Sequence, residues 1–217
     1  MEKITISYAQ SIDGRIATST GESKYISSNA TLNLAHTMRQ DHEGICVGIG
    51  TVLQDNPQLS CRLDGNPRQP VRVILDTNLR TPLSSNVVQT ASAQPSLIIA
   101  STSADPKRKA ELESAGVQVK CIPESANKLL PPASIISELE LLGLRSLFIE
   151  GGAGVITSFL KAELATDMVI VTAPVIIGAG TEAIGDLGIR DLDHLLRPEE
   201  FTWKQYGSDM VCFIKLK

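Results

Sequence analysis

Histidine and cysteine are scarce, with three and four residues in a chain of 217. His36 and His42 are six positions apart, off the i, i+4 spacing of a helical zinc pair, and His194 is remote from both. Cys46, Cys61, Cys121 and Cys212 contain no C-x-x-C pair. They read as unpaired thiols of a reducing compartment, not as a disulfide framework. No apolar run approaches the roughly 20 residues that a membrane helix needs. Positive charge is not in excess: the net charge is −4, which argues against the global basic field of a nucleic-acid binder. Internal repeats and low-complexity tracts are missing. So is the H-x-E with a later P-C-x-x-C that zinc-dependent deamination requires. The opening MEKITISYAQ has one lysine and then strand-like alternation, so no secretory leader is expected. These absences predict a globular chain of the cytoplasm, with no metal, membrane or nucleic-acid partner.

Apolar segments alternate with helix-spaced ones. Strands are expected at 4–9, 44–50, 71–76, 97–100, 117–122, 146–150 and 168–173. Ser27 and Ser28 can cap a helix running to about Gln40, and further helices are expected at 105–115, 133–142 and 153–162. The runs GICVGIG and VRVILD are continuously apolar apart from Arg72 and the closing Asp76, as suits strands covered on both faces. Two β segments at 200–206 and 210–216, joined by Gly207-Ser208-Asp209, make a hairpin. Strand–helix alternation argues for an α/β chain with a mostly parallel sheet and a terminal antiparallel pair. No linker divides it, so one domain over 1–217 is expected. Asp13-Gly14 reads as a structural turn.

The stretch LFIEGGAGVITSFL places Glu150 and three glycines between a strand and a helix. At the carboxyl end of a parallel strand this is ligand-binding ground. Glycines admit close approach, and the helix start offers free amides of partial positive charge. Thr157 and Ser158 could add hydroxyls. The stretch matches neither G-x-G-x-x-G nor a P-loop. Two readings stand at this point: a seat for phosphates, or a tight turn with no ligand. Glu150 likewise either caps local amides or meets polar ligand atoms.

Three further segments, SIDGRIATSTGESKYIS, MRQDHEGICVGIGTVLQDNPQLSCR and PVRVILDTNLRTP, precede FIEGGAGVITSFL and APVIIGAG. In that order they resemble the pyrimidine reductase of riboflavin biosynthesis over nearly the whole chain. That family is often the C-terminal half of a bifunctional deaminase–reductase. The resemblance implies a three-layer dihydrofolate-reductase-like fold, with helices on both faces of the sheet. It implies NADPH-dependent reduction of a phosphoribosylamino-pyrimidine to its ribitylamino product, by a stand-alone reductase that acts as a homodimer. Substrate positions carry over to Ser23, Arg39, Leu59, Arg62 and Glu150. Cofactor positions carry over to Ala9, Tyr25, Thr51, Asp55 and Thr77. The diphosphate turn carries over to Gly151, Gly152, Ala153, Gly154, Val155, Ile156, Thr157 and Ser158. Glu150 and Asp55 are the matched acids that could deliver a proton, and a water could serve equally well. Lys107 and Arg108 either meet a 2′-phosphate or start a solvated helix. A dihydrofolate-reductase-like enzyme for another pterin or pyrimidine, and a nucleotide-binding module without chemistry, are the competing readings. The sequence leaves open whether the pyrimidine is 2-oxo or 2-amino.

Overall fold

A computed structural model describes residues 1–24 and 26–217. In chain order its elements are β1 (Lys3–Gln10), β2 (Arg15–Thr18), α1 (Asn29–Asp41), β3 (Gly44–Gly48), α2 (Ile49–Asp55), β4 (Val71–Leu75), α3 (Asn86–Gln89) and β5 (Ser96–Ser101). There follow α4 (Pro106–Ser114), β6 (Gln118–Ile122), α5 (Pro132–Leu141), β7 (Ser146–Ile149), α6 (Ala153–Lys161), β8 (Asp167–Thr172) and β9 (Gly180–Glu182). A 3-10 turn (Leu192–His194) precedes β10 (Glu200–Tyr206) and β11 (Asp209–Lys215). Among the described residues no helix is long and apolar enough to cross a membrane. The chain divides into two compact units: residues 1–2 with 37–148, and residues 3–36 with 149–217. The cuts fall inside α1 and at the end of β7.

The first unit is built on parallel strands in the order β3-β4-β5-β6, with β7 beside β3. Strands β3 and β5 are covered on both faces, and all six residues of β5 are buried, while β6 alternates buried with less buried residues. Ile45, Val47, Ile74, Ile98, Leu112 and Phe148 are fully buried in one cluster. Each contributes about 1.5–3 kcal/mol of transfer free energy. Helix α4 starts where the sequence says it should. Asp105 accepts the Lys107 amide at 2.9 Å and Pro106 supplies a preset φ. His42, buried, lies 2.7 Å through Nδ1 from the Met38 carbonyl and stacks on Phe148 with ring centroids 5.3 Å apart. It ties the end of α1 to this core.

In the second unit β1 and β8 pair in parallel, β11 runs antiparallel to β8, and β10 completes the hairpin with β11. A separate antiparallel pair, β2 and β9, is clipped by Arg15, which bonds Glu182 at 2.7 Å and the Gly178 carbonyl at 3.0 Å. Asp13 fixes the turn before β2: it accepts the Ile177 and Gly178 amides at 3.1 and 2.6 Å. The Ser11 hydroxyl, and then these two amides, hold its carboxyl down to about 2. The pair β2–β9 also explains a glycine. A Cβ on Gly180 would lie 2.3 Å from the Ala17 carbonyl oxygen, so the strands must part to admit even alanine. Gly180→Ala is expected to cost about 2 kcal/mol, read as a fall in the thermal midpoint without loss of the main sheet's circular dichroism.

Cys46 and Cys212 are buried free thiols, Cys121 is an exposed one, and Cys61 is buried in the 58–62 loop.

Candidate active site

In the first unit Leu59 and Arg62 lie on one loop, and Arg39 reaches it from α1. Helix α2 ends at Asp55, and Asn56 closes it in the left-handed region at φ 43. Asn56 and Asn86 then bond reciprocally: the Asn86 amide donates to Oδ1 at 2.8 Å, and Nδ2 of Asn86 to the Asn56 carbonyl at 2.7 Å. From here residues 56–62 run without secondary structure. Leu59 is 2% exposed and sits at φ 53, a conformation costing a leucine on the order of 1 kcal/mol. Arg39, in the last turn of α1, donates to the Ser60 carbonyl at 2.9 Å. Arg62 approaches the Ser60 hydroxyl and Gln58 Oε1, each at 3.5 Å. The two arginines thus meet at one residue.

The expected cofactor positions of this unit lie nearby in the chain. Thr51 is in the first turn of α2 and Asp55 is its last residue, both half-buried. Thr77 follows β4, and its carbonyl accepts the Ser101 amide at 3.0 Å. The turn after it is fixed from two sides. Buried Asp76 takes the Thr81 amide and hydroxyl on one carboxylate oxygen at 2.7 Å each. Arg108 donates to the Leu79 and Thr81 carbonyls at 3.1 and 2.5 Å, and bonds Glu111 at 2.8 Å. Arg108 is therefore a brace of the turn that carries Thr77, while Lys107 lies exposed at the helix start.

The second unit holds the glycine turn. Glu150 follows β7 half-buried, and Gly151 and Gly152 take φ values of 124 and 79, which only glycine adopts without strain. Helix α6 begins at once, with the Val155 and Ile156 amides turned back onto the Gly152 carbonyl at 2.9 and 3.1 Å. The amides of Ala153 and Gly154 are the first-turn donors that a helix cannot itself satisfy. Gly154 needs no left-handed backbone, yet a Cβ there, as at Gly151, would meet no protein atom within 4 Å. Neither packing nor conformation demands its glycine, and the bare backbone over these amides fits a diphosphate group. The hydroxyls are committed otherwise. Thr157 donates to the Ala153 carbonyl at 2.6 Å and accepts the Gly185 amide at 2.8 Å, and Ser158 donates to the Val155 carbonyl at 2.8 Å. Amides, not hydroxyls, are thus the donors this turn presents.

Ala9 sits next to the end of β1, paired with Val171. Ser23 follows a turn closed by Thr18 and Glu22, whose amide and carbonyl bond at 2.9 Å around Gly21. Tyr25 lies outside the described residues. Sequence reasoning passed over Gln69, Arg72 and Gln94, which hold the 58–62 loop. The available signal was an arginine in the middle of VRVIL.

The family described as the RibD C-terminal domain matches residues 2–212. The chain is 37% identical over 212 residues to the riboflavin biosynthesis protein RibD of Aquifex aeolicus, covering 98% of this chain and 57% of that one. It is 33% identical over 219 residues to the 2,5-diamino-6-ribosylamino-4(3H)-pyrimidinone 5′-phosphate reductase of Methanothermobacter thermautotrophicus, covering 99% and 98%. Among solved structures, Acinetobacter baumannii RibD superposes with a TM-score of 0.84 at 25% identity, over 99% of this chain and 58% of that one. Dihydrofolate reductase of Enterococcus faecalis, complexed with NADP(H), shares the fold at a TM-score of 0.52 and 10% identity, over 99% and 96%. The chain spans just over half the length of the RibD relatives it matches. With the family profile extending over nearly all of it and the fold agreeing, the chain belongs to the RibD C-terminal domain family.

Proposed function

We propose that this chain reduces 5-amino-6-(5-phosphoribosylamino)uracil, or its 2,5-diamino counterpart, to the ribitylamino product with NADPH. The observation that carries the reading is the convergence of Arg39 and Arg62 on Ser60. A sugar phosphate is a dianion, and guanidinium forks match its oxygens. The name of the Methanothermobacter relative, which matches end to end, supports the same substrate class.

In this proposal Gly151, Gly152, Ala153 and Gly154 hold the cofactor's diphosphate through their amides, continued by the backbone of Val155, Ile156, Thr157 and Ser158. Ala9, Tyr25, Thr51, Asp55 and Thr77 make the remaining cofactor contacts. Small Ala9 leaves room for a flat ring to lie on the end of β1. When bound, the reduced nicotinamide supplies a hydride for C1 of the substrate's ring-opened sugar. Ser23 and Glu150 orient the substrate's hydroxyls and ring, the backbone of Leu59 lies against the substrate beside its phosphate, and Arg39 and Arg62 grip that phosphate. The nitrogen at C1 must be protonated for the hydride to be accepted, and Glu150 and Asp55 are the acids proposed to deliver that proton directly or through water. The active species is proposed to be a homodimer of the cytoplasm. Strand β10 lies at the edge of its sheet with Phe201 and Trp203 exposed, and an open apolar edge is a pairing surface.

Following the reduced-nicotinamide absorbance decides the matter. Turnover is expected with at least one of the two phosphoribosylaminopyrimidines and none with dihydrofolate. Oxidation driven by dihydrofolate alone, or by none of the three, would refute the assignment.

A further inference from the structure

The loop that seats the two arginines has no hydrogen-bonding pattern of its own, yet its main chain is held residue by residue by side chains from outside it. Arg72 Nη1 reaches the Gln58 carbonyl at 3.4 Å. Gln94 Nε2 donates to the Leu59 carbonyl at 3.1 Å and to the Pro70 carbonyl at 2.8 Å. Arg39 takes the Ser60 carbonyl. Gln69 grips Cys61 twice, accepting its amide at 2.8 Å and donating to its carbonyl at 2.9 Å. Behind these stands a second tier. Arg72 also bonds the Thr90 hydroxyl at 2.7 Å, the Thr90 carbonyl at 3.1 Å and the Gln94 carbonyl at 2.5 Å, so the residue that fixes Gln58 fixes Gln94 as well.

Arg72 is an unusual choice for this task. It is 1% exposed on β4, and its bonding partners are carbonyls and a hydroxyl, with Nε left unpaired. Burial lowers its guanidinium to about 10, so it remains charged at neutral pH. Burying a charge without an acid beside it is costly, and an aliphatic side chain of similar length would fill the space at less cost. What the guanidinium adds is directional: several donors in a fixed plane that set the separation of two loop segments. The left-handed Leu59 agrees with this, since a non-glycine residue stays in that region only where its surroundings over-determine it.

We propose that Arg72, Gln94 and Gln69 are positioning residues, which lock the 58–62 loop in the one shape that presents Arg62 and the Arg39-bound Ser60 to the sugar phosphate of the substrate. This rests on the substrate assigned above. These residues touch neither the substrate nor the cofactor; they act through the loop. Removing one therefore loosens recognition of the phosphate and leaves the pyrimidine and the cofactor as they were.

The test compares the phosphorylated substrate with its dephosphorylated ribosylaminopyrimidine in wild type, Gln69→Ala and Arg72→Lys. Gln69 is exposed, so its alanine variant keeps the fold. Arg72→Lys keeps the charge and loses the plane. For each variant KM for the phosphorylated substrate should rise about tenfold. The KM for the dephosphorylated form, the KM for NADPH and kcat should change by less than about twofold. A merely structural role would lower the thermal midpoint and shift both substrates alike, leaving their ratio unmoved. An unchanged ratio in Gln69→Ala overturns the proposal, even if Arg72→Lys fails to fold. Should the wild type turn over neither pyrimidine, the substrate assignment fails. Calorimetric binding of ribose 5-phosphate against ribose then decides this one: a wild-type preference that weakens in Gln69→Ala supports it, and no preference ends it.

Discussion

Arg39→Ala should raise KM for the phosphoribosylaminopyrimidine about a hundredfold, or ~2.7 kcal/mol, while the KM for NADPH stays within about twofold. The size follows from the chemistry of the contact. A charge-assisted bond to phosphate contributes about 1.5–3 kcal/mol, and Arg39 also seats the Ser60 carbonyl. The phosphate lies far from the carbon that accepts hydride, so its binding energy is felt equally before and at the transition state. The loss therefore falls on KM more than on kcat. Arg39→Lys restores the charge without the fork and should recover about half of the loss on a logarithmic scale. An equal rise for both ligands, or none for either, would detach Arg39 from the substrate. Circular dichroism guards against misreading, since loss of the Ser60 bond alone costs about 1 kcal/mol of stability.

The second large effect is on stability. Asp209 opens β11 and is 1% exposed. One of its carboxylate oxygens faces the Ser28 amide at 2.7 Å, the Ser28 hydroxyl at 2.8 Å and the Thr31 hydroxyl at 2.8 Å; the other takes the Ser208 hydroxyl at 3.1 Å. The tip of the terminal hairpin thereby caps the start of α1. Burial works against the charge, but the donors of Ser28, Thr31 and Ser208 outweigh it, and the carboxyl is held below its ordinary range. Asp209→Ala takes this acceptor from the Ser28 amide and hydroxyl, while the Thr31 hydroxyl keeps the Ser28 carbonyl at 2.9 Å, and should cost about 3 kcal/mol. In a chain of this size that is a fall of about 10 °C in the thermal midpoint. Asp209→Asn keeps a neutral acceptor and should cost about half as much. The pH dependence has a definite sign. A depressed folded-state value stabilises the protein above the unfolded carboxyl's pKa of about 3.9, and the contribution is lost as pH falls through the lower folded value. The wild type should accordingly lose its stability margin over Asp209→Ala on acidification below about pH 4. A margin that is the same at pH 7 and at pH 2.5 would show that the charge is not what stabilises this corner.

How much of this could be read from the residues depends on length and continuity. The parallel strands were legible because runs such as GICVG and VRVIL are covered on both faces, and the long helices because of their residue spacing, with an explicit cap in α4 at Asp105-Pro106. The expected strand at 44–50 runs two residues too far: Ile49 begins α2, whose apolar residues Ile49 and Val52 continue the strand's composition without a break. Strands β2 and β9 went unseen because four and three residues carry no period, and a bulge interrupts their register. The division into two units leaves no linker in the sequence because each unit takes two separate stretches of chain. At the candidate site the glycine turn announces itself locally, and so do the arginines of the motif that ends in Arg62. The braces on the loop do not, because Gln69, Arg72 and Gln94 act on residues 8 to 35 positions away.

The turn at 151–154 has a last consequence. A seat made of peptide amides contains no group that gains or loses a proton in the physiological range. If it seats a dinucleotide bridge as proposed, that hold should be level across neutral pH, and any slope in affinity for the dinucleotide must originate in other side chains or in the dinucleotide itself.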